Sequence, residues 1–256
     1  KHTSVHEQMV KFYQGFRRDA DPMAVMVGVV GALSAFNHDA ADYFDTAQRN
    51  LNFHRIVARM PTIVAMAYKY SIGEPFMNPR ADLGYAANFL HMMFATPREE
   101  FRPNPVLVRA LDRLFIVFAD QGQDASTSTV RMAGSSGANP FAGVSAGIAC
   151  LSGPAHSGAS EACLAMLQEI GDSSRLGGFV ARARDKSNSF TFSGFGHPVY
   201  RHFDPRAQLL REVCDEVLQE LGLEQHRLFA LAKALEKLSL EDPYFVDEDL
   251  YPSVDF

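Results

Sequence analysis

Three short segments combine residues able to do acid–base chemistry with glycine or proline breaks: GPAHSG (153–158), SGFGHPVYRHFDPRA (193–207) and YPSVDF (251–256). In the first, His156 follows a Gly-Pro break just before a predicted helix. The start of a helix presents N–H groups and a positive dipole end, which suit a developing oxyanion and keep an imidazole neutral as a hydrogen-bond donor. His156 is therefore a candidate oxyanion-stabilising residue.

The second segment pairs a histidine with an arginine. His197 follows Gly-Phe-Gly, where the backbone can approach a ligand closely because glycine lacks a Cβ. Arg206 stands at the start of the next predicted helix, and its planar guanidinium suits bidentate binding of a carboxylate. This segment therefore predicts a site for an anionic substrate.

The third segment ends in an acid. Asp255 follows a proline turn and is flanked by Val254 and Phe256. Apolar neighbours are expected to make its carboxylate a stronger base.

Taken singly, each of these residues has an ordinary interpretation as well. A histidine beside glycine is most often a loop or cap residue, an aspartate near proline a turn, and an arginine after Asp-Pro a charge on a helix surface.

Helices must position these segments, since most of the chain has helical periodicity. Asp21 and Asp204 are predicted N-caps, each followed by proline at the first helical position. The predicted helices, beginning near residue 5, include 22–36, 55–70 with Pro61 as a kink, 81–95, 105–120, 140–151, 158–170, 205–221 and 225–240. Residues 124–137 fit either a loop or a closely packed helix, and residues 171–178 fit a hinge or a domain edge. Only residues 189–195 alternate weakly like a strand. The predicted fold class is mostly α.

Composition bounds the function. The net charge of −6 argues against a broad cationic surface, and with it against a nucleic-acid partner. The longest apolar stretch, residues 23–36, is too short to span a bilayer, and the first residues do not resemble a signal peptide. Three scattered cysteines, Cys150, Cys163 and Cys214, predict neither a disulfide framework nor a zinc site. A cytoplasmic protein without a membrane or metal partner is expected.

The three segments occur in an order that resembles the citrate synthase family: G-P-A-H, then G-F-G-H with D-P-R-A, then Y-P-x-V-D. The resemblance covers essentially the whole chain. Five further segments are similar to the bacterial, hexamer-forming, type II-like branch: FRRDADPMAVM (16–26), MPT (60–62), YKYSIG (68–73), ASTSTVR (125–131) and AGSSGANPF (133–141).

The resemblance implies a fold with a large helical domain, here 1–167, and a smaller one, here 168–256. It also implies an acyltransferase of the tricarboxylic acid cycle, which condenses acetyl-CoA with oxaloacetate and hydrolyses the thioester. Acetyl-CoA is a substrate, and no cofactor is implied. A homodimer or hexamer is expected. The relatives extend further at both ends, so a fragment lacking the N-terminal part and the C-terminal helices is expected.

The family's residue roles transfer to matching positions. Asp255 corresponds to the base that removes a proton from the acetyl methyl group, and His156 to the donor that binds the enol or enolate oxygen. His197 corresponds to the residue that polarises the ketone, and Arg206 to a carboxylate clamp. The loop that cradles the CoA adenine corresponds to Ser193, Gly194, Phe195 and Gly196.

Three departures leave the substrate open. Where the relatives have a second histidine in H-A-D-H-E, which helps bind oxaloacetate, this chain has Gln121. Ser157 replaces a glycine, and Pro198 replaces an arginine of the bacterial relatives. Glutamine can donate a hydrogen bond but is never cationic. A paralogue using another 2-oxo acid, such as phosphonopyruvate, or propionyl-CoA is the alternative within this class. A catalytically weakened regulatory homologue is the alternative outside it.

Overall fold

The computed structural model of the chain describes residues 2–37, 45–119, 122–153, 158–197, 200, 202 and 204–256. About two thirds of these residues are helical and the rest form loops with isolated bridges but no strand, which confirms the predicted mostly α fold class. The helices are α1 (Gln8–Gln14), α2 (Pro22–Ala32), α3 (Thr46–Ile72), α4 (Tyr85–Phe94), α5 (Pro105–Ala119), α6 (Ala125–Ser135), α7 (Pro140–Leu151), α8 (Gly158–Ile170), α9 (Leu176–Arg184), α10 (Pro205–Leu221), α11 (Arg227–Glu241) and α12 (Pro243–Asp247). Each of the described helices is too short or too polar to span a lipid bilayer.

The chain divides into two compact units, Lys1–His156 and Ser157–Phe256. The boundary predicted after residue 167 falls inside α8, which lies wholly in the second unit. The assignment of residues 1–167 and 168–256 to the two domains of the family stays a prediction.

In the first unit, α2 packs on α3 and α7 around buried residues such as Val29, Val30 and Phe141. Asp21 caps α2 by accepting a 2.9 Å hydrogen bond from the N–H of Ala24, as predicted. Pro61, where a kink is predicted, lies within α3. Because proline has no N–H, the carbonyl of Val57 loses its helical donor. The hydroxyl of Tyr85 donates to that carbonyl at 3.0 Å instead.

The segment left open as loop or helix is the helix α6, packed against α7. The small side chains explain the close approach. A Cβ added to Gly147 of α7 would lie 2.5 Å from Cγ2 of Val130 in α6.

In the second unit, α8, α9, α11 and α12 enclose a core that includes Met166, Phe179, Leu235 and Phe245. Residues 171–178 do not form an open hinge, because a 3₁₀ turn at Ser173–Arg175 leads directly into α9. The weak alternation over 189–195 gives no strand, only an isolated bridge between Phe195 and Pro252.

Helix α10 begins after the predicted cap and ends at Gly222 with φ +65°, as predicted. The apolar side chains of this helix are little buried. Among the described residues only Val213 of this helix is buried, and Leu221 is 48% exposed. Helix α10 contributes to the site through the residues of its first turn.

Candidate active site on the second unit

The first turn of α10 holds a buried ion pair. Oδ1 of Asp204 accepts 3.0 Å hydrogen bonds from both the backbone N–H and Nε of Arg206, and Oδ2 accepts from Nη2 at 2.9 Å. The Asp204 side chain is 1% exposed and that of Arg206 13% exposed. The guanidinium is therefore held by its Nε–Nη2 edge in one orientation.

The pKa values of this pair follow from its contacts. Burial alone would raise the pKa of the Asp204 carboxyl, but hydrogen bonds from the Arg206 side chain, then from the N–H groups of Arg206 and Val254, outweigh burial and lower it. The hydrogen bond to Asp204 raises the pKa of Arg206. Both groups are charged at neutral pH.

His197 lies beside this pair. Its Nδ1 faces the N–H of Tyr200 at 3.3 Å, and its Nε2 lies 3.3 Å from Nη2 of Arg206. The ring packs on that of Tyr200, with centroids 4.9 Å apart, and the Arg206 guanidinium lies over the Tyr200 ring at 5.5 Å. If the Tyr200 N–H donates to Nδ1, the proton of a neutral ring is on Nε2. An acceptor oxygen between Nε2 and Nη2 would then receive hydrogen bonds from both.

Asp255 lies in a turn that pairs with the glycine loop 193–196. The N–H of Gly196 donates to the carbonyl of Tyr251 at 2.8 Å, and the N–H of Ser253 donates to the carbonyl of Gly194 at 2.9 Å. The Asp255 carboxylate accepts a 3.0 Å hydrogen bond from the hydroxyl of Ser160, in the first turn of α8. Its backbone position and its side chain are therefore both held by the second unit.

One hydrogen bond connects Asp204, the partner of Arg206, to the turn that carries Asp255. The N–H of Val254 donates to Oδ2 of Asp204 at 2.9 Å. The negative charge of Asp255 also contributes to the raised pKa of Arg206. The structure thus brings together three predicted site residues: His197, Arg206 and Asp255.

The glycine loop needs its glycines. Gly194 has φ +83° and Gly196 has φ +79°, in the region that side chains disfavour. A Cβ on Gly194 would lie 2.9 Å from Cα of Phe256 and 3.1 Å from Sγ of Cys163. Phe195 packs on the ring of Phe256, with centroids 4.7 Å apart. The glycine loop and the turn of Asp255 therefore pack tightly against each other.

Two predicted site residues, His156 and Gln121, lie outside the described residues. The structure adds two residues to the site, Asp204 and Ser160, that were not predicted as site residues from the sequence. Asp204 was identified only as a helix cap, although its spacing to Arg206 indicates the ion pair. Ser160 had no sequence signal, because its contact with Asp255 connects distant parts of the chain.

Known proteins resemble this chain in sequence and in fold. Residues 1–256 match the family described as citrate synthase, C-terminal domain. The structure is similar to those of two citrate synthases. The enzyme of Pyrobaculum aerophilum has 32% sequence identity and a TM-score of 0.89, and that of Thermotoga maritima MSB8 has 28% sequence identity and a TM-score of 0.79. Each alignment covers 99% of this chain and 63% of the other chain. The Thermoplasma acidophilum citrate synthase, solved as a ternary complex with carboxymethyl coenzyme A and oxaloacetate, shares the fold at 24% identity and TM-score 0.82, with 99% of this chain and 64% of that one covered. The chain thus spans less than two thirds of the length of these relatives, and it belongs to the citrate synthase family.

Proposed function

We propose that the whole protein condenses acetyl-CoA with oxaloacetate, or a close 2-oxo acid, and hydrolyses the resulting thioester. One observation carries this proposal: Nε2 of His197 lies 3.3 Å from Nη2 of Arg206, and the carboxylate of Asp204 binds both Arg206 and the turn of Asp255 on the second unit. A ketone-polarising donor, a carboxylate-binding cation and a base are the groups that this condensation requires.

The 2-oxo acid matches the donors at the arginine and the histidine. Its carboxylate and ketone are adjacent, as are the guanidinium of Arg206 and Nε2 of His197. Nη1 of Arg206 has no hydrogen-bond partner among the described residues, so the edge opposite Asp204 can bind the carboxylate. Nε2–H then donates to the ketone oxygen, where negative charge develops during C–C bond formation.

Asp255 is the proposed base. Its carboxylate takes a proton from the acetyl methyl group, and the resulting enol or enolate carbon attacks the ketone carbon. The ketone oxygen takes the proton of Nε2 of His197 and becomes a hydroxyl, and water then cleaves the thioester to release CoA and the acid. Because the methyl proton of a thioester is weakly acidic, the thioester oxygen needs a hydrogen-bond donor, and this role is proposed for His156. The loop of Ser193, Gly194, Phe195 and Gly196 is the proposed CoA-binding element.

The experiment is a CoA-release assay on the full-length protein with acetyl-CoA and a panel of 2-oxo acids. Release that depends on one 2-oxo acid, with a tertiary hydroxy acid as product, would support the proposal. No release with any member of the panel would overturn it and favour the weakened regulatory homologue.

A second candidate substrate follows from Gln121, where the relatives have a histidine. If the pocket is built for a different group, such as that of phosphonopyruvate, Gln121→His should improve oxaloacetate turnover and weaken use of the true substrate. The physical reason is that a buried polar group left unpaired costs about 1–3 kcal/mol. Strong wild-type preference for oxaloacetate, unchanged by the substitution, would exclude this candidate. Propionyl-CoA in place of acetyl-CoA is tested in the same assay.

The cytoplasmic location and the assembly into homodimers or into the hexamers of the type II-like branch are part of the proposal. Sedimentation of the full-length protein distinguishes the two assemblies.

A further inference from the structure

The carboxylate of Asp204 accepts more hydrogen bonds than a helix cap requires. Three come from Arg206, through its backbone N–H, Nε and Nη2, and the fourth comes from the N–H of Val254. We propose that Asp204 is a positioning residue that holds the turn of the base Asp255 in register with the carboxylate-binding Arg206. This inference rests on the function proposed above for those two residues.

A second Asp-Pro cap in the same unit shows what an ordinary cap looks like. Asp242 precedes Pro243, accepts from the N–H of Tyr244 at 2.8 Å, and pairs with Nη2 of Arg184 at 2.6 Å. Like Asp204, it therefore caps a helix and pairs with an arginine. Its side chain is 21% exposed, against 1% for Asp204, and among the described residues it accepts no backbone N–H from a distant segment. The bond from Val254 and the deep burial are what distinguish Asp204.

The position of Val254 gives this extra bond its consequence. Val254 immediately precedes Asp255, so a shift of its N–H moves the backbone that carries the proposed base. The same oxygen, Oδ2, accepts from Nη2 of Arg206. A single atom therefore links the guanidinium to the turn, and the separation between bound 2-oxo acid and base depends in part on it.

Asparagine is the informative replacement because it keeps the shape of the side chain. An amide has one acceptor oxygen, and its nitrogen only donates. If the oxygen retains the N–H and Nε of Arg206, the amide nitrogen faces two donors, Nη2 of Arg206 and the N–H of Val254. In the reverse orientation the amide nitrogen faces the other two donors. The amide therefore cannot accept all four of the hydrogen bonds that the carboxylate accepts from Arg206 and Val254.

The test uses the full-length protein and four variants: Asp204→Asn, Asp255→Asn, the double variant, and Asp242→Asn as the matched control. Asp204→Asn should lower kcat about 10- to 100-fold and raise KM for the 2-oxo acid, whereas the control should keep both near wild type. In the Asp255→Asn background, Asp204→Asn should lower kcat by a much smaller factor, because a misplaced base costs nothing once the base is gone. Equal factors in both backgrounds, or a variant no worse than the control, would overturn the inference.

A readout independent of turnover is amide hydrogen exchange of residues 251–256. This measurement uses Asp204→Ala and Asp242→Ala, and exchange should be faster in Asp204→Ala than in wild type and in Asp242→Ala, because alanine has no acceptor for the N–H of Val254. Unchanged exchange would overturn the inference even if turnover falls. If the wild-type protein releases no CoA, the proposed function fails, and the exchange result alone decides whether Asp204 holds this turn.

Discussion

The hydroxyl of Ser160 donates a 3.0 Å hydrogen bond to Oδ1 of Asp255, although the two residues are 95 positions apart. Ser160 lies in the first turn of α8, and Asp255 in the turn after α12. The contact fixes the direction of a carboxylate whose backbone is already held through Val254 and Ser253. Ser160 therefore orients the proposed base.

Replacing Ser160 by alanine should lower kcat about 3- to 10-fold, because the carboxylate loses one orienting donor while the base itself remains. Ser174→Ala is the control: Ser174 donates to Asp172 at 2.6 Å in the same unit and has no contact with Asp255. Steady-state kinetics of both variants provide the measurement. Equal activity of the two variants would show that Ser160 does not orient the base.

Asp255→Asn tests the base itself. It keeps the size and polarity of the side chain but removes the proton acceptor, so kcat should fall about 10²- to 10⁴-fold. Binding of the 2-oxo acid, measured by calorimetry, should persist because Arg206 and His197 are unchanged. Asp247→Asn, at an exposed acid of the same segment, should retain wild-type turnover. Near-normal turnover of Asp255→Asn would mean that another group takes the proton.

Gly194→Ala tests the junction between the glycine loop and the C-terminal turn. The added Cβ would meet Cα of Phe256 at 2.9 Å, at a φ of +83° that alanine disfavours. Loop and turn must then separate, so KM for acetyl-CoA should rise and kcat should fall, each about 10-fold or more. Gly178→Ala is the control, because nothing lies within 4 Å of its added Cβ and its φ is not positive. Wild-type kinetics in Gly194→Ala would contradict the close packing of this junction.

The helices were largely predictable from the sequence because their end signals are local. Asp21 and Asp204 followed by proline marked two helix starts, and Gly222 marked a helix end. The character of α6 could not be decided from its small polar residues, since its helical packing depends on the glycine of α7 facing it. Helix α9 was missed because its first residues are Leu-Gly-Gly, and burial of Leu176 and Phe179 overrides the low helix propensity of glycine.

The site was predictable in part. The types and order of His197, Arg206 and Asp255 indicated the chemistry, and the structure brings these three together. The supporting contacts were hidden because they join distant positions: Ser160 with Asp255, and Asp204 with Val254. Such pairings depend on how the helices pack, which no local pattern encodes.

Cys163 provides a probe of the site that needs no substrate. It is 2% exposed and contacts the carbonyl oxygen of Phe256 through its sulfur. Burial, and then the negative charge of Asp255, raises the pKa of its thiol to about 11. The reactive form is the thiolate, so at pH 8 only about one Cys163 in a thousand is ionised.

Iodoacetamide at pH 8 should therefore modify Cys163 much more slowly than the half-buried Cys150, with peptide mass spectrometry as the measurement. The rate should increase with pH up to about pH 11, as the thiolate fraction rises. In Asp255→Asn the negative charge is absent, so the pKa of Cys163 should fall and its alkylation at pH 8 should become faster. Asp249→Asn controls for the loss of any acid from this segment and should leave the rate unchanged. Alkylation of Cys163 as fast as that of Cys150, or a rate indifferent to the charge at position 255, would contradict the placement of Asp255 beside this thiol.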